Sequence, residues 1–311
     1  MPLSTVYIRF AAHRSEDLQR SPLLERLVAR ATAAVPVADW RADAYRALVP
    51  EGTPMPPIAA GALGAGPGAG AWVCIATPVH LSAGMSSVRM PRDGVLTLEA
   101  GEAEALAADF SRIFDRAGVR LAARGLGVLV CVFDAAPEVE TQDPEGAAGH
   151  DVFEFLPAGR DGARLRGLMS EMEMWLFDHE INRARAASLR PQITGLWLWG
   201  GGEPQAAAPV VRGWAAGHDP FFSALGSESN LPQPAGAGVV VCAEQPGTAA
   251  WMDVEQRWLT PAVERLRSGK LTRVDLSAAR RRLSLGTGPH LRFWRRPQPW
   301  WESFGAQRGV E

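Results

Sequence analysis

Short apolar runs at strand spacing recur along this chain between segments of helical period, and that alternation restricts it to an α/β architecture. Ser4 to Phe10 alternates polar and apolar residues. Trp72 to Ala76, Val128 to Asp134, Ile193 to Trp199, Gly238 to Ala243, Leu271 to Ser277, Leu283 to Leu285 and Leu291 to Trp294 read as further strands. Between them lie helical stripes. Leu23, Leu24, Leu27, Val28 and Ala31 follow the capping pair Ser21-Pro22, and Trp40, Ala44, Ala47 and Leu48 precede Pro50. Ala103, Leu106, Phe110, Ile113 and Phe114 mark a helix over residues 100–117. Leu165, Leu168, Met172, Trp175 and Leu176 mark one long helix running from Asp161 toward Ala187, and a further helix covers Asp253 to Arg267. Strands joined through helices predict a mainly parallel sheet with helices on both faces.

With 311 residues the chain fits one large α/β domain with an inserted subdomain. Composition divides it into an N-terminal α/β segment (1–50), a Pro/Gly/Ala-rich loop (51–71) expected to pack no core, and a main α/β region (72–311). Within the loop, Gly64-Ala-Gly66-Pro-Gly68 imitates a nucleotide loop. No strand precedes it, no helix follows, and Pro67 removes an amide donor, so it is read as a linker.

The 32 basic and 34 acidic residues nearly cancel, so the overall field steers the chain toward neither nucleic acid nor an anionic membrane. Arg280-Arg281-Arg282, Arg292, Arg295 and Arg296 with Trp294, Trp300 and Trp301 form a basic, aromatic C-terminal run. Leu283, Leu285, Leu291 and Phe293 alternate through it, which favours strands with solvent-facing arginines and a tryptophan pair capping a core. Cys74, Cys131 and Cys242 sit in apolar surroundings without metal or redox spacing and read as reduced core residues. The start Met1-Pro-Leu-Ser-Thr-Val-Tyr-Ile-Arg has no signal-peptide regions, and no run has the roughly 18 apolar residues of a membrane helix. The expected compartment is the cytoplasm.

Functional residue types are densest between Glu171 and Gly202. His179, Asn182 and Arg185 recur every third residue, a polar stripe able to meet an anion or a carbonyl. The strand ending at Trp199 delivers Gly200-Gly201-Gly202, where α/β sheets place ligands and bare N–H groups can approach an oxyanion. Each has a plainer alternative: Asn182 and Arg185 can tie a helix end to a neighbouring loop, and the glycines can mark a sharp turn. Trp197 and Trp199 share a strand face and read as packing rather than a stacking platform. His80, after Pro78 at a strand end, is either a ligand contact or a hydrogen-bonded structural histidine. Glu171 and Glu173 point to different sides of their helix and form no acid/base pair.

The stretch Asp178-His179-Glu180-Ile-Asn182-Arg183-Ala-Arg185, followed by Leu196-Trp197-Leu198-Trp199-Gly200-Gly201-Gly202, resembles the His-Pro-Val-Asn-Arg-x-Arg and Leu-Trp-Leu-Trp-Gly-Gly-Gly pattern of regulatory proteins of the RpfE type. Upstream, Trp72-Val-Cys-Ile-Ala-Thr77-Pro78-Val79-His80-Leu81 resembles that family's Trp-Leu-Arg-Ala-Asp-Pro-Val-His-Leu. The likeness covers about Trp72 to Gly202. These proteins are diverged relatives of archaeal-type cofactor-independent phosphoglycerate mutases, so the resemblance implies an alkaline-phosphatase-like fold in degenerate form. The candidate ligand-binding residues are His80, His179, Asn182, Arg183, Arg185, Gly200, Gly201 and Gly202.

The chain departs from the enzymes of that superfamily. No Asp-Gly opens its first fifty residues, Trp199 stands where those enzymes have an arginine, and Thr194 where they have an asparagine. A two-metal centre needs about six converging Asp and His ligands. The six histidines, His13, His80, His150, His179, His218 and His290, stand apart; only His150-Asp151, His218-Asp219 and Asp178-His179 adjoin an aspartate. Against the nearer family, Glu180 replaces proline and Gly195 replaces serine, and a carboxylate beside His179 and Arg183 is expected to weaken anion binding. The expectation is a pseudoenzyme without catalytic residues, metal or cofactor, binding a partner protein or an anionic small molecule and not nucleic acid or membrane. The alternative is a metal-dependent phosphotransferase of the phosphoglycerate mutase kind.

Overall fold

The computed structural model describes residues 4–10, 20–59, 71–85, 87–114, 118–124, 127–204, 211–217, 219–225, 236–242, 252–287 and 296–304. The expected strand Leu291 to Trp294, the glycine run 60–70, and His13, His218 and His290 lie outside them. The chain divides into two compact units, one made of Met1–Met55 with Pro209–Glu311 and one of Pro56–Ala208. Among the described residues no helix is long and apolar enough to cross a membrane.

In the first unit, strands β1 (Thr5–Phe10), β2 (Val35–Pro36), β9 (Gly213–Gly217), β10 (Ala237–Val241), β11 (Arg273–Ala278) and β12 (Arg281–Gly286) form a sheet in the order β2-β12-β11-β1-β10-β9. β1 pairs in parallel with β10 and β11, and β10 with β9, whereas β12 returns antiparallel from β11 and carries β2 antiparallel at its edge. β1 is central, and five of its residues, Val6 to Phe10, are buried.

The two faces of this sheet differ in chemistry. Val6, Ile8, Phe10, Val274, Leu276, Leu283 and Leu285 enter a core with helix Pro22–Arg30, helix Thr260–Arg267 and the terminal turn Trp300–Ser303. Ser21 caps the first of these helices, accepting from the Leu24 N–H at 3.0 Å, with Pro22 at its first position. Trp300 and Trp301 fill the core beside Phe10 and Phe304. Tyr7, Arg9, Asp275 and Ser277 lie on the opposite face, under helix Trp40–Tyr45. There Arg9 donates to the Ala279 carbonyl at 2.6 Å and lies 5.0 Å from the Trp40 ring, and Arg282 Nη1 donates to both carboxylate oxygens of Asp43, at 2.6 and 2.7 Å. Arg282 is thus a structural member of the basic run, while Arg281 faces solvent.

The second unit is built differently, and here the expectation of a mainly parallel sheet fails. Strands β3 (Trp72–Val79), β6 (Val119–Arg124), β7 (Val128–Phe133) and β8 (Gly195–Gly202) run in the order β6-β7-β3-β8, and every neighbouring pair is antiparallel. After β3, helix Ala100–Ile113 leads to β6, two strand positions away, and the hairpin strand β7 fills the gap. A strand-helix-strand pattern therefore appears in sequence where no two neighbouring strands are parallel. Short β4 (Ser82–Ala83) and β5 (Val88–Arg89) pair separately. Helix Ala100–Ile113 meets helix Gly162–Phe177 through Phe110, Phe114 and Trp175, with Phe110 and Phe114 stacked at 4.3 Å. Leu106, Leu165, Met169, Met172 and Leu176 close the core on the sheet.

Candidate functional site

The expected long helix breaks. Helix Gly162–Phe177 ends at Asp178, and helix Glu180–Ala187 begins at once with His179 as its N-cap in extended conformation. The stripe of His179, Asn182 and Arg185 belongs to this second, shorter helix.

Each polar atom of the stripe finds a partner within the unit. His179 Nδ1 accepts from the Ile181 N–H at 3.2 Å, so the proton sits on Nε2, which donates to Asp109 at 3.0 Å. Burial holds the His179 imidazole below its ordinary pKa, Glu180 partly opposes this, and Arg183 adds to it. A protonated Nδ1 would lose the cap, in agreement with that direction. Asn182 is buried and saturated: its amide donates to the carbonyls of Leu176 and Ile193, both at 2.8 Å, and its carbonyl accepts from the Ile193 N–H at 2.7 Å. It fastens the strand entry to the helix break. Arg185, equally buried, donates from Nε to the Pro191 carbonyl at 2.8 Å, from Nη1 to Glu102 at 2.9 and 3.0 Å, and from its fork to the Thr97 carbonyl. Its guanidinium is displaced below the usual range by burial, with Glu102 opposing. The stripe meets both kinds of partner its spacing allowed, carboxylates at Asp109 and Glu102 and backbone carbonyls from Asn182 and Arg185, all within the unit. Arg183 is exposed and folds back on the Asp178 carbonyl and carboxylate at 2.9 and 3.3 Å.

Of the two positions at which the sequence departs from that resemblance, one has a local cause. Position 180 is the first helical residue, the site that best accepts a proline after a capping residue. Glu180 serves there through its charge at the positive end of the helix. At Gly195 a β-carbon would stand 3.4 Å from Glu173 Cγ, an ordinary van der Waals contact, so nothing in the structure requires the glycine; the Glu173 carboxyl nearby is raised in pKa by burial.

Gly200, Gly201 and Gly202 do not follow β8; they are its last three residues. Val73 pairs with Gly202 and Ile75 with Trp199, leaving Gly200 and Gly201 together opposite Cys74 in a β-bulge, with Gly200 at φ 65°. The missing side chains are replaced by neighbours: Ile58 lies over Gly200, the Trp72 indole over Gly201 and Pro57 over Gly202. The expected oxyanion loop is thus a packed strand end. Pro57 and Ile58 pack on the glycines and Pro56 and Ala59 are buried, which corrects the reading of 51–71 as a stretch that packs no core for residues 56–59. Trp197 and Trp199 are buried and donate to the Gln142 carbonyl at 2.8 Å and to Thr77 Oγ1 at 2.7 Å.

His80 occupies a different place. Its Nδ1–H donates to the Gln192 carbonyl at 2.9 Å, which leaves the Nε2 lone pair as the ring's acceptor. It lines a cleft of about 570 Å³ with Pro91, Asp93, Ala186, Leu189, Arg190, Pro191 and Gln192. Arg190, about one-third exposed, reaches Glu99 at 3.0 Å and Glu102 at 3.2 Å. Leu189 is 95% exposed at φ 55°, a conformation unusual for a leucine. Sequence reasoning found His80 but missed Asp93, Leu189, Arg190 and Gln192, because the cleft is assembled by the loop after the helix folding back beneath Arg185. The partners Asp109 and Glu102 were equally hidden, being distant in sequence.

Among the described residues, no three His, Cys, Asp or Glu side chains converge as a metal-binding group. No protein-family model matches the chain, and no curated protein matches its sequence. Its structure bears a distant likeness to the cofactor-independent phosphoglycerate mutase from Thermoplasma acidophilum DSM 1728, with TM-score 0.39 and 13% identity over 98% of this chain and 97% of that one. It is similarly distant from the PH0037 protein of Pyrococcus horikoshii, with TM-score 0.40 and 11% identity over 92% of this chain and 88% of that one.

Proposed function

We propose that the chain is a non-catalytic, phosphoglycerate-mutase-like protein of the RpfE regulatory type, which acts by holding a partner protein in the cleft walled by His80 and Leu189. The observation that carries this reading is Leu189. A leucine almost fully exposed at the mouth of a cleft presents an apolar side chain to something outside the chain, and its left-handed backbone is the helix C-terminal cap in which the Leu189 and Arg190 N–H groups donate to the Ala186 and Arg185 carbonyls. Beside it the prolines offer apolar walls, and His80 offers an acceptor whose tautomer is already set by Gln192. The motif residues Asn182 and Arg185 support the cleft from beneath, with their hydrogen-bonding capacity spent on backbone and Glu102.

An anionic small molecule is the second reading, favoured by Arg190 and His80 in the same cleft. Glu99 and Glu102 already offset the Arg190 charge, and Asp93 adds a further carboxylate, so the partner-protein reading is preferred.

Leu189→Asp tests the choice, since aspartate tolerates the left-handed conformation and adds a charge without touching the core. A partner held by the wild-type chain is expected to bind this variant at least tenfold more weakly. Titration with inorganic phosphate or 3-phosphoglycerate is expected to leave the ¹⁵N signals of His80 unmoved. Saturable His80 shifts with these anions, together with partner binding indifferent to Leu189→Asp, would transfer the assignment to the anion.

A further inference from the structure

Cys74 and Cys131 are far apart in sequence, and nothing in their spacing links them. The fold places them directly opposite each other, Cys74 on β3 and Cys131 on the antiparallel neighbour β7. Residues opposed in this way have Cα atoms about 4.5–5.5 Å apart and side chains on the same face. That separation lies within the roughly 4.4–6.8 Å that a disulfide spans. Both side chains are fully buried and unbridged.

One adjustment is required, since opposed Cβ atoms stand about 4.5–5.5 Å apart and a disulfide draws them to about 3.8 Å. The sheet has an irregularity at this position. On the far side of Cys74 the regular ladder to β8 is interrupted by the bulge of Gly200 and Gly201. β3 is therefore fixed by a regular register only on the β7 side at Cys74, and the small approach toward Cys131 does not strain an unbroken ladder on the other. β8 is also the edge strand of its sheet, so its loosening from β3 admits a small reagent while β6, β7 and β3 stay paired with one another.

We propose that Cys74 and Cys131 form an intramolecular thiol pair that oxidation closes into a cross-strand disulfide, locking the sheet of the second unit. The oxidant is a small membrane-permeant molecule such as a diazene or a peroxide. In the reaction two S–H bonds break and one S–S bond forms, and the two electrons and two protons released reduce the oxidant: the N=N of a diazene becomes the HN–NH of the hydrazine, and hydrogen peroxide becomes two waters. Closure is slow and gated by local opening, because burial raises the Cys74 thiol pKa and keeps it protonated while the strand is closed. Cys242 belongs to the first unit and is an internal control: burial pushes its thiol up to about 12, and Asp253 pushes in the same direction.

The full chain is incubated with diamide, its free thiols are alkylated under denaturing conditions, and the products are mapped by mass spectrometry. The expected product is a monomer lighter by two hydrogens, with the peptides carrying Cys74 and Cys131 joined and Cys242 alkylated. Its urea midpoint is expected to lie above that of the reduced chain and to return on reduction. Cys131→Ala is expected to abolish the mass change. Alkylation of both cysteines with no joined peptide, or a disulfide involving Cys242 or a second molecule instead, would overturn the proposal. The wild-type map decides the matter even if Cys131→Ala fails to fold.

Discussion

Gly201→Ala is expected to destabilise the second unit by about 3 kcal/mol, the upper part of the range for inserting atoms into a filled site. A β-carbon at position 201 would stand 2.0 Å from Cζ2 and 2.3 Å from Cη2 of the Trp72 indole. The indole has nowhere to go: Trp72 is buried, and its ring meets Phe133 edge-on at 5.3 Å. A flexible side chain could yield by rotation, whereas a rigid bicycle must move with its strand. Gly167→Ala is the matched control. Gly167 lies exposed in helix Gly162–Phe177 with open space around its α-carbon, so alanine is expected to add about 0.5–1 kcal/mol of stability there. Urea titration of the three proteins measures both effects. A Gly201→Ala chain as stable as wild type would show that the indole does not cover the strand end, and would reopen the glycines to a ligand.

Asn182→Leu is expected to cost about 3 kcal/mol, because it strands several groups at once. The Ile193 N–H loses its acceptor and the carbonyls of Leu176 and Ile193 lose their donor, in a site that water does not reach. Asn182→Asp separates the two halves of the amide. Its carboxylate keeps the acceptor for Ile193 but turns a second oxygen toward two carbonyls, which favours the protonated form in the folded chain. A carboxyl raised in this way contributes stability below its unfolded pKa and loses it as pH rises. The aspartate variant is therefore expected to lie closer to wild type at pH 5 than at pH 8, while the leucine variant shows a deficit independent of pH. Equal deficits for the aspartate variant at both pH values would mean that Asn182 is not enclosed by those carbonyls.

These expectations show how far the sequence could be read. The strands and most helices were legible from their periods, and Ser21-Pro22 marked its helix start because capping is local chemistry. The antiparallel second sheet was not legible, because a helix between β3 and β6 looks the same whether the next strand joins directly or leaves a gap for a hairpin. The helix break at Asp178 was hidden for a related reason: Met172, Trp175 and Leu176 continue a helical period up to the cap, and His179 is seldom read as a capping residue. The stripe of His179, Asn182 and Arg185 was visible, but its partners were not, since Asp109, Glu102 and Thr97 come from a segment far upstream. The glycine triplet shows the same limit. Glycines at a strand end look alike in sequence whether they admit a phosphate or an indole, and only the position of Trp72 decides between them.

We propose that this motif serves the architecture of a binding protein and not a metal-dependent reaction. Elemental analysis of the purified full chain, paired with phosphoglycerate mutase and phosphatase assays in added Mn²⁺, Mg²⁺ and Zn²⁺, tests it most directly. The expected result is no stoichiometric metal and no turnover with any of the three. Bound metal at one or two equivalents, with turnover abolished by a chelator and restored by the ion, would contradict it and identify the chain as an enzyme.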